Sequence, residues 1–240
     1  MTDNNQGRFQ QAAYPLFVLL LLVLIGAAMY GHTLNAPFMY DGAINIVQNP
    51  YIRMDVFSWE KLTQIMKSPS PRPLANLTFA ANYFFHQYDV TGYHLINILI
   101  HIINAFLVFL ITRQTLRRCQ INLPLVPAIA ATLWLVHPVH TQSVTYIVQR
   151  MNALSAMFYL LALTCYIAAR NVNRLTVPHK QKKGLLLLAA CGLSGFFAMA
   201  SKPVAATLPI VLFLYEWYFF QDLSYAWLKK HARWISIVIV

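Results

Sequence analysis

The feature that most constrains this chain is a series of long apolar runs, separated by short polar or basic stretches, that recurs from near the N-terminus to the last residue. A helix needs about 20 apolar residues to cross the hydrocarbon core of a bilayer, because each residue advances it by only ~1.5 Å. Runs at 14–30, 93–111, 123–136, 151–169, 184–200 and 204–220 reach or approach that length, and 234–240 opens another. The chain therefore reads as an all-α polytopic membrane protein with six complete transmembrane helices and the start of a seventh. The run at 123–136 is short, and is expected to be tilted or to keep its polar end inside the protein. Hydrophobic residues make up 58% of the 240 and charged residues 10%, too little polar surface to cover a protein in water.

The first apolar run lacks a small-x-small cleavage pattern and is long enough to span, so it is expected to stay as a signal anchor. One transmembrane module over 1–240 is expected. Its last run stops without flanking charge, as at the front of a longer chain.

A net charge of +11 raises the question of nucleic acid. The placement of the cations answers it differently. Arg8, then Arg113, Arg117 and Arg118, then Arg170, Arg174, Lys180, Lys182 and Lys183, then Lys229, Lys230 and Arg233 fall at every second boundary between runs. That is the pattern of cytosolic loops under the positive-inside rule, and it sets topology and contact with anionic lipid rather than nucleic-acid binding. The N-terminus is thereby placed in the cytosol, and segment 34–92 on the opposite side. Cys119, Cys165 and Cys191 show no metal-ligand spacing, so neither a disulfide nor a zinc site is expected.

Segment 34–92 is the large outer loop. Phe57, Leu62, Ile65 and Met66 follow a helical period behind Ser58, a plausible cap, so 57–66 is expected as a short amphipathic helix. Pro69, Pro71 and Pro73 interrupt it, and a second short helix is expected from Arg72 toward Tyr93.

Only seven acidic residues exist. Asp55, Glu60 and Asp89 read as solvated loop charges, and Glu216 as an acid snorkelling at the membrane boundary. Asp41 differs, because it sits soon after the first run among Phe38, Met39, Tyr40, Ile44 and Ile46. A carboxylate there is either an interfacial ion pair or cap, or a proton acceptor, since desolvation costs several kcal/mol unless the group is paired or used. Arg150 and Lys202 are isolated cations on the side that is otherwise sparse in them; they either snorkel to lipid phosphates or hold a specific phosphate. His137 and His140 would bind a metal or, with Pro138 between them, shape a loop through backbone hydrogen bonds. One carboxylate, two cations and several aromatic side chains on one side suit a lipid-linked phosphate ester.

Asn35-Ala-Pro-Phe-Met-Tyr-Asp41, Asn45-Ile-Val-Gln-Asn49-Pro50, Arg72-Pro-Leu, Tyr93-His-Leu-Ile-Asn97, His101-Ile-Ile-Asn104, His137-Pro-Val-His140-Thr-Gln-Ser-Val, Gln149-Arg150 and Ser201-Lys-Pro203 occur in that order. The ordered set resembles the transmembrane, tetratricopeptide-repeat O-mannosyltransferase family and its bacterial relatives. The resemblance implies a C-type glycosyltransferase fold, a catalytic acid just after the first helix, a polyprenyl-phosphate sugar as donor with no other cofactor, and inversion at the anomeric carbon; it also leads us to expect a bacterial inner membrane over the endoplasmic reticulum. Asp41 matches the general base of that family. Arg150 and Lys202 become candidates for the donor phosphate, with Tyr40, Arg72, His137 and His140 in support.

Two departures matter. Gly42 stands where a second acid often follows the first, and Arg150-Met-Asn152 replaces an Arg-Ala-Asp pattern. Two functions therefore stay open: transfer of a sugar to a hydroxyl on a protein or glycan at the outer face, or a noncatalytic subunit that binds lipid and the helices of a membrane complex. A transporter is disfavoured, because no inverted repeat is visible.

Overall fold

The computed structural model describes residues 3–231 apart from 71 and 174–177. The apolar run at 234–240, with Pro71, Arg174 and Arg233, lies outside the described residues. Helix α1 (Asp3–Tyr30) is followed by the outer loop, which holds α2 (Trp59–Met66) and α3 (Pro73–His86). Then come α4 (Val90–Arg118), α5 (Val126–Val136), the single turn α6 (Thr141–Thr145), α7 (Arg150–Asn173), α8 (Pro178–Ser201) and α9 (Leu208–Tyr215).

Among the described residues five segments are long and apolar enough to span: Ala13–Thr33, Val90–Arg118, Ile147–Val172, Gln181–Ser201 and Pro203–Phe220. The expected sixth span falls short. Its helix, Val126–Val136, has 11 residues and stops where His137 leaves the helical conformation ahead of Pro138. Proline cannot continue a helix and biases the residue before it toward extended backbone.

The helices pack around α4 and α7. Val18, Leu22 and Tyr30 of α1 meet Ile98, Ile102 and Phe109 of α4 and Leu135 of α5. Gly26 lets α1 come close, since a Cβ there would lie 2.9 Å from the Ile102 side chain. The outer loop is a packed cap. Ile46, Ile52, Ile65, Ala75 and Phe79 bury themselves against Tyr93, Ile147, Val148 and Met151 at the outer ends of α4 and α7. Ser58 caps α2 as expected, accepting from the Lys61 amide at 3.2 Å, and Pro73 starts α3. Asn76, on the face of α3 turned into this cap, is 2% exposed.

Between α5 and α7 the chain runs irregularly through residues 137–149. Non-helical backbone beside a membrane span must find partners inside the protein, because lipid offers none. The buried polar face of α4 supplies them. His101 Nε2 donates to the Leu135 carbonyl at 2.9 Å, Asn97 Nδ2 to the carbonyls of Val144 and Ile147 at 3.3 and 3.2 Å, and His94 Nε2 to that of Ala36 at 2.9 Å. Asn104 donates to Ala153 on α7 at 3.0 Å. The spacing 94, 97, 101, 104 is one helical face, which gives two of the motifs quoted above a structural reason.

At the other end Glu216 does not snorkel. It is 7% exposed and accepts from Arg170 through both oxygens (2.6 and 2.8 Å), from Tyr166 at 2.8 Å and from Gln221 at 2.7 Å. A bidentate arginine and two further donors saturate the carboxylate and tie the last span to α7. Asn97→Leu, which strips partners from two buried carbonyls and from Arg150, is expected to destabilise the folded protein by about 3 kcal/mol, measured by denaturant titration in detergent.

Candidate functional site

Four chain segments meet at a polar-walled cavity of about 140 Å³: the turn after α1 (Asp41, Asn45), the head of α3 (Arg72), the start of α7 (Val148, Gln149, Met151, Asn152) and the break between α8 and α9 (Lys202). Asp41 and Lys202 therefore share one site although 161 positions separate 41 from 202. Arg150 does not line it. Its neighbours 149, 151 and 152 face the cavity, while its own side chain enters the core and is 0% exposed.

There each of the three nitrogens of the Arg150 guanidinium donates to a protein oxygen. Nε donates to Asn97 Oδ1 at 2.7 Å, Nη1 to Asn82 Oδ1 and the Thr78 carbonyl, and Nη2 to the Tyr93 carbonyl at 2.9 Å. Its carbon also lies 4.7 Å from the Phe79 ring centre. Every partner is neutral, so a positive charge is held by oriented dipoles from α3 and α4. A side chain held that way, in the core and off the cavity wall, does not meet a ligand there.

Arg72 presents the opposite case. Its Nη1 donates to the thioether sulfur of Met151 at 2.9 Å, a weak acceptor, and its buried Nε has no partner among the described residues. Lys202 follows α8 in extended backbone, and Nζ donates to Asn152 Oδ1, whose own Nδ2 donates to Gln149 Oε1. The amide at 152 thus orients the ammonium without neutralising it.

Asp41 is exposed rather than sunk among the apolar residues around it, and it escapes desolvation by facing water. Its carboxylate has no ion-pair partner among the described residues. The backbone around it is fixed: the Asp41 amide donates to the Tyr146 hydroxyl at 2.9 Å, and Asn45 Nδ2 donates to the Asp41 carbonyl at 2.8 Å. Tyr40 just before it takes a left-handed φ of 43°, an uncommon conformation for an aromatic residue, and points an 80% exposed ring outward.

His137 and His140 shape the loop. His137 Nδ1 accepts from the Val139 amide at 3.2 Å, and the His140 ring lies 4.2 Å from that of Trp134. Burial, then the nearby His137, lowers the His140 pKa from its ordinary value and favours the neutral ring. Among the described residues no group of three or more His, Cys, Asp or Glu is placed to hold a metal. Beyond them lies a second cavity of about 360 Å³ with mostly apolar walls, including Trp134, His140, Tyr159, Leu160 and Val204. Asn152 borders both cavities.

Comparison with known proteins places these features in a context. The chain is 31% identical over 219 residues to Protein O-mannosyl-transferase tmtc2 of Xenopus laevis, an alignment covering 85% of this chain and 24% of that protein. It is 32% identical over 164 residues to Protein O-mannosyl-transferase F38B6.6 of Caenorhabditis elegans, covering 65% and 24%. It is 28% identical over 191 residues to Protein O-mannosyl-transferase TMTC4 of Homo sapiens, covering 72% and 26%. The match to this family of O-mannosyltransferase-like membrane proteins is distant but consistent, and the chain spans about a quarter of the length of these relatives. No family model matches the chain, and no solved structure does. The relatives are animal proteins, which overturns the expected bacterial inner membrane.

Arg150 and Lys202 should respond differently to loss of charge. Arg150→Met is expected to cost about 3–5 kcal/mol of stability by orphaning buried acceptors. Lys202→Met should shift stability by less than about 1 kcal/mol, and denaturation of the two variants side by side compares them.

Proposed function

We propose that this chain is the membrane module of a glycosyltransferase that moves a sugar from a polyprenyl-phosphate donor to a hydroxyl acceptor at the face carrying the 34–92 loop. The observation that carries this reading is the convergence of Asp41 and Lys202 on one polar cavity. The neighbouring apolar cavity and the family likeness support it.

In this reading the acceptor approaches from water, on the side to which Asp41 is open. The Asp41 carboxylate takes the hydroxyl proton as the acceptor oxygen bonds to the anomeric carbon. The bond from that carbon to the phosphate oxygen breaks, and the electron pair leaves with the polyprenyl phosphate. A single displacement of this kind inverts the anomeric centre. Lys202 stabilises the charge that grows on the phosphate. The donor's isoprenoid would lie in the apolar cavity past Asn152, along Tyr159, Leu160 and Val204. Trp134 and His140 wall the same space. Arg150, whose side chain is buried away from the cavity, acts in this scheme by fixing the floor of the site.

A second reading keeps the cavity and drops the chemistry: a noncatalytic subunit that binds a phospholipid and partner helices. The observation in its favour is that, among the described residues, Asp41 is the only acid lining the cavity, with Gly42 beside it. A stoichiometric co-purifying protein together with no sugar transfer would establish it.

Two variants test the transferase. Asp41→Asn is expected to lower the turnover of sugar transfer by about 10²–10⁴-fold while leaving donor-lipid binding intact; full turnover in that variant would remove Asp41 from the mechanism. Tyr146→Phe, which releases the Asp41 amide, is expected to reduce turnover by about 10-fold with little change in the unfolding midpoint.

A further inference from the structure

We propose that Arg72 and Lys202 form a two-pronged clamp for a phosphate group. Its charge is preserved by Asn152, and Arg150 takes no part in ligand contact.

Three observations carry the proposal. First, the two arginines nearest the cavity differ in what their nitrogens do. Arg150 has Nε, Nη1 and Nη2 bound to oxygens, whereas Arg72 has a buried Nε with no partner among the described residues and an Nη1 resting on a thioether. A buried guanidinium N–H without an oxygen is costly. An anion in the cavity that Arg72 lines would give the guanidinium the oxygen partner that Met151 does not, through a charge-assisted hydrogen bond.

Second, the cavity carries one more cation than anion. Arg72 and Lys202 stand against Asp41, which faces solvent. Third, the group on Lys202 is an amide. An aspartate at 152 would make an ion pair with Nζ and cancel the charge, while Asn152 accepts the same hydrogen bond and leaves the charge for a ligand. The head of α3 begins at Arg72, so the positive end of that helix dipole lies at the same wall.

The clamp itself follows from this geometry. Only the identification of the anion with the head of a donor lipid rests on the function proposed above, and the experiment separates the two. Binding of a polyprenyl phosphate, the corresponding polyprenol and inorganic phosphate would be measured with the full chain in detergent.

Arg72→Gln is expected to weaken polyprenyl phosphate binding by 10-fold or more and to leave polyprenol binding unchanged. Its melting temperature should match that of the unmodified protein, because the Arg72 side chain gives up only its bond to Met151. Asn152→Asp should weaken phosphate binding in the same direction, and Arg72→Lys should restore part of what Arg72→Gln loses. Displacement of the lipid by inorganic phosphate would show that the clamp takes phosphate alone. Charge-dependent lipid binding without displacement would show that it takes the lipid-borne group.

Wild-type affinity in Arg72→Gln overturns the clamp. If Arg72→Gln also transfers sugar with unchanged KM, the clamp falls and the transferase stands. If Arg72→Gln loses lipid phosphate while the unmodified protein transfers no sugar, the clamp stands and the transferase falls.

Discussion

A guanidinium buried without a carboxylate partner is the contact on which the outer half of this protein depends. Arg150 reaches from the first turn of α7 to two asparagines and two backbone carbonyls on α3 and α4, and lies over the rings of Phe79 and Tyr93. Bringing such an ion out of water costs several kcal/mol, and only a complete set of aligned acceptors offsets that. Completeness demands that α3, α4 and α7 hold one mutual arrangement. The residues beside Arg150 in sequence line the cavity. The geometry of the site is therefore inherited from a charge that never faces it.

The same accounting explains why so apolar a chain keeps a polar stripe on its central helix. A helix that ends at Val136, with irregular backbone from there to Gln149, leaves carbonyls that lipid cannot satisfy. His94, Asn97 and His101 sit on one face of α4 and donate to carbonyls at 36, 135, 144 and 147. Asn97 does two jobs at once, since its amide nitrogen serves the broken segment and its oxygen accepts from Arg150. The irregular segment thus gains the freedom to present Tyr146 to the Asp41 backbone, a bond a continuous helix would not make.

Much of this was legible in the sequence, and the limits are physical. Hydropathy finds spans because burial in lipid acts on each residue separately. It overcounts at 123–136, where Pro138 cuts the helix short. Ser58 was readable because a cap is a local contact. Arg150 was read as a ligand cation and Glu216 as a boundary acid because side of the membrane is visible in a sequence and partners are not. The bonds that bury them join residues 46 to 72 positions apart. That Asp41 and Lys202 lie on one side was read from charge and hydropathy; that they line one cavity is visible only in the fold. Tyr146 and Asn45 were missed, and only the four-residue spacing of Asn45 from Asp41 hinted at a shared turn.

Asn152 links these strands of the argument. It borders the polar cavity and the apolar one, and it holds Lys202 where they meet. A ligand that fills both must change from anionic to hydrocarbon within the width of one side chain, as a lipid phosphate does and a free sugar or a peptide does not. With a carboxylate at 152 the cavity would hold two acids against two cations. With an amide it holds one, and the surplus positive charge lies beside the residue that also walls the apolar cavity. Departure from the Arg-Ala-Asp pattern at this position thus raises the affinity expected for an anionic head. It bears on binding, whereas the missing acid at Gly42 bears on chemistry, and the two departures need not share a cause.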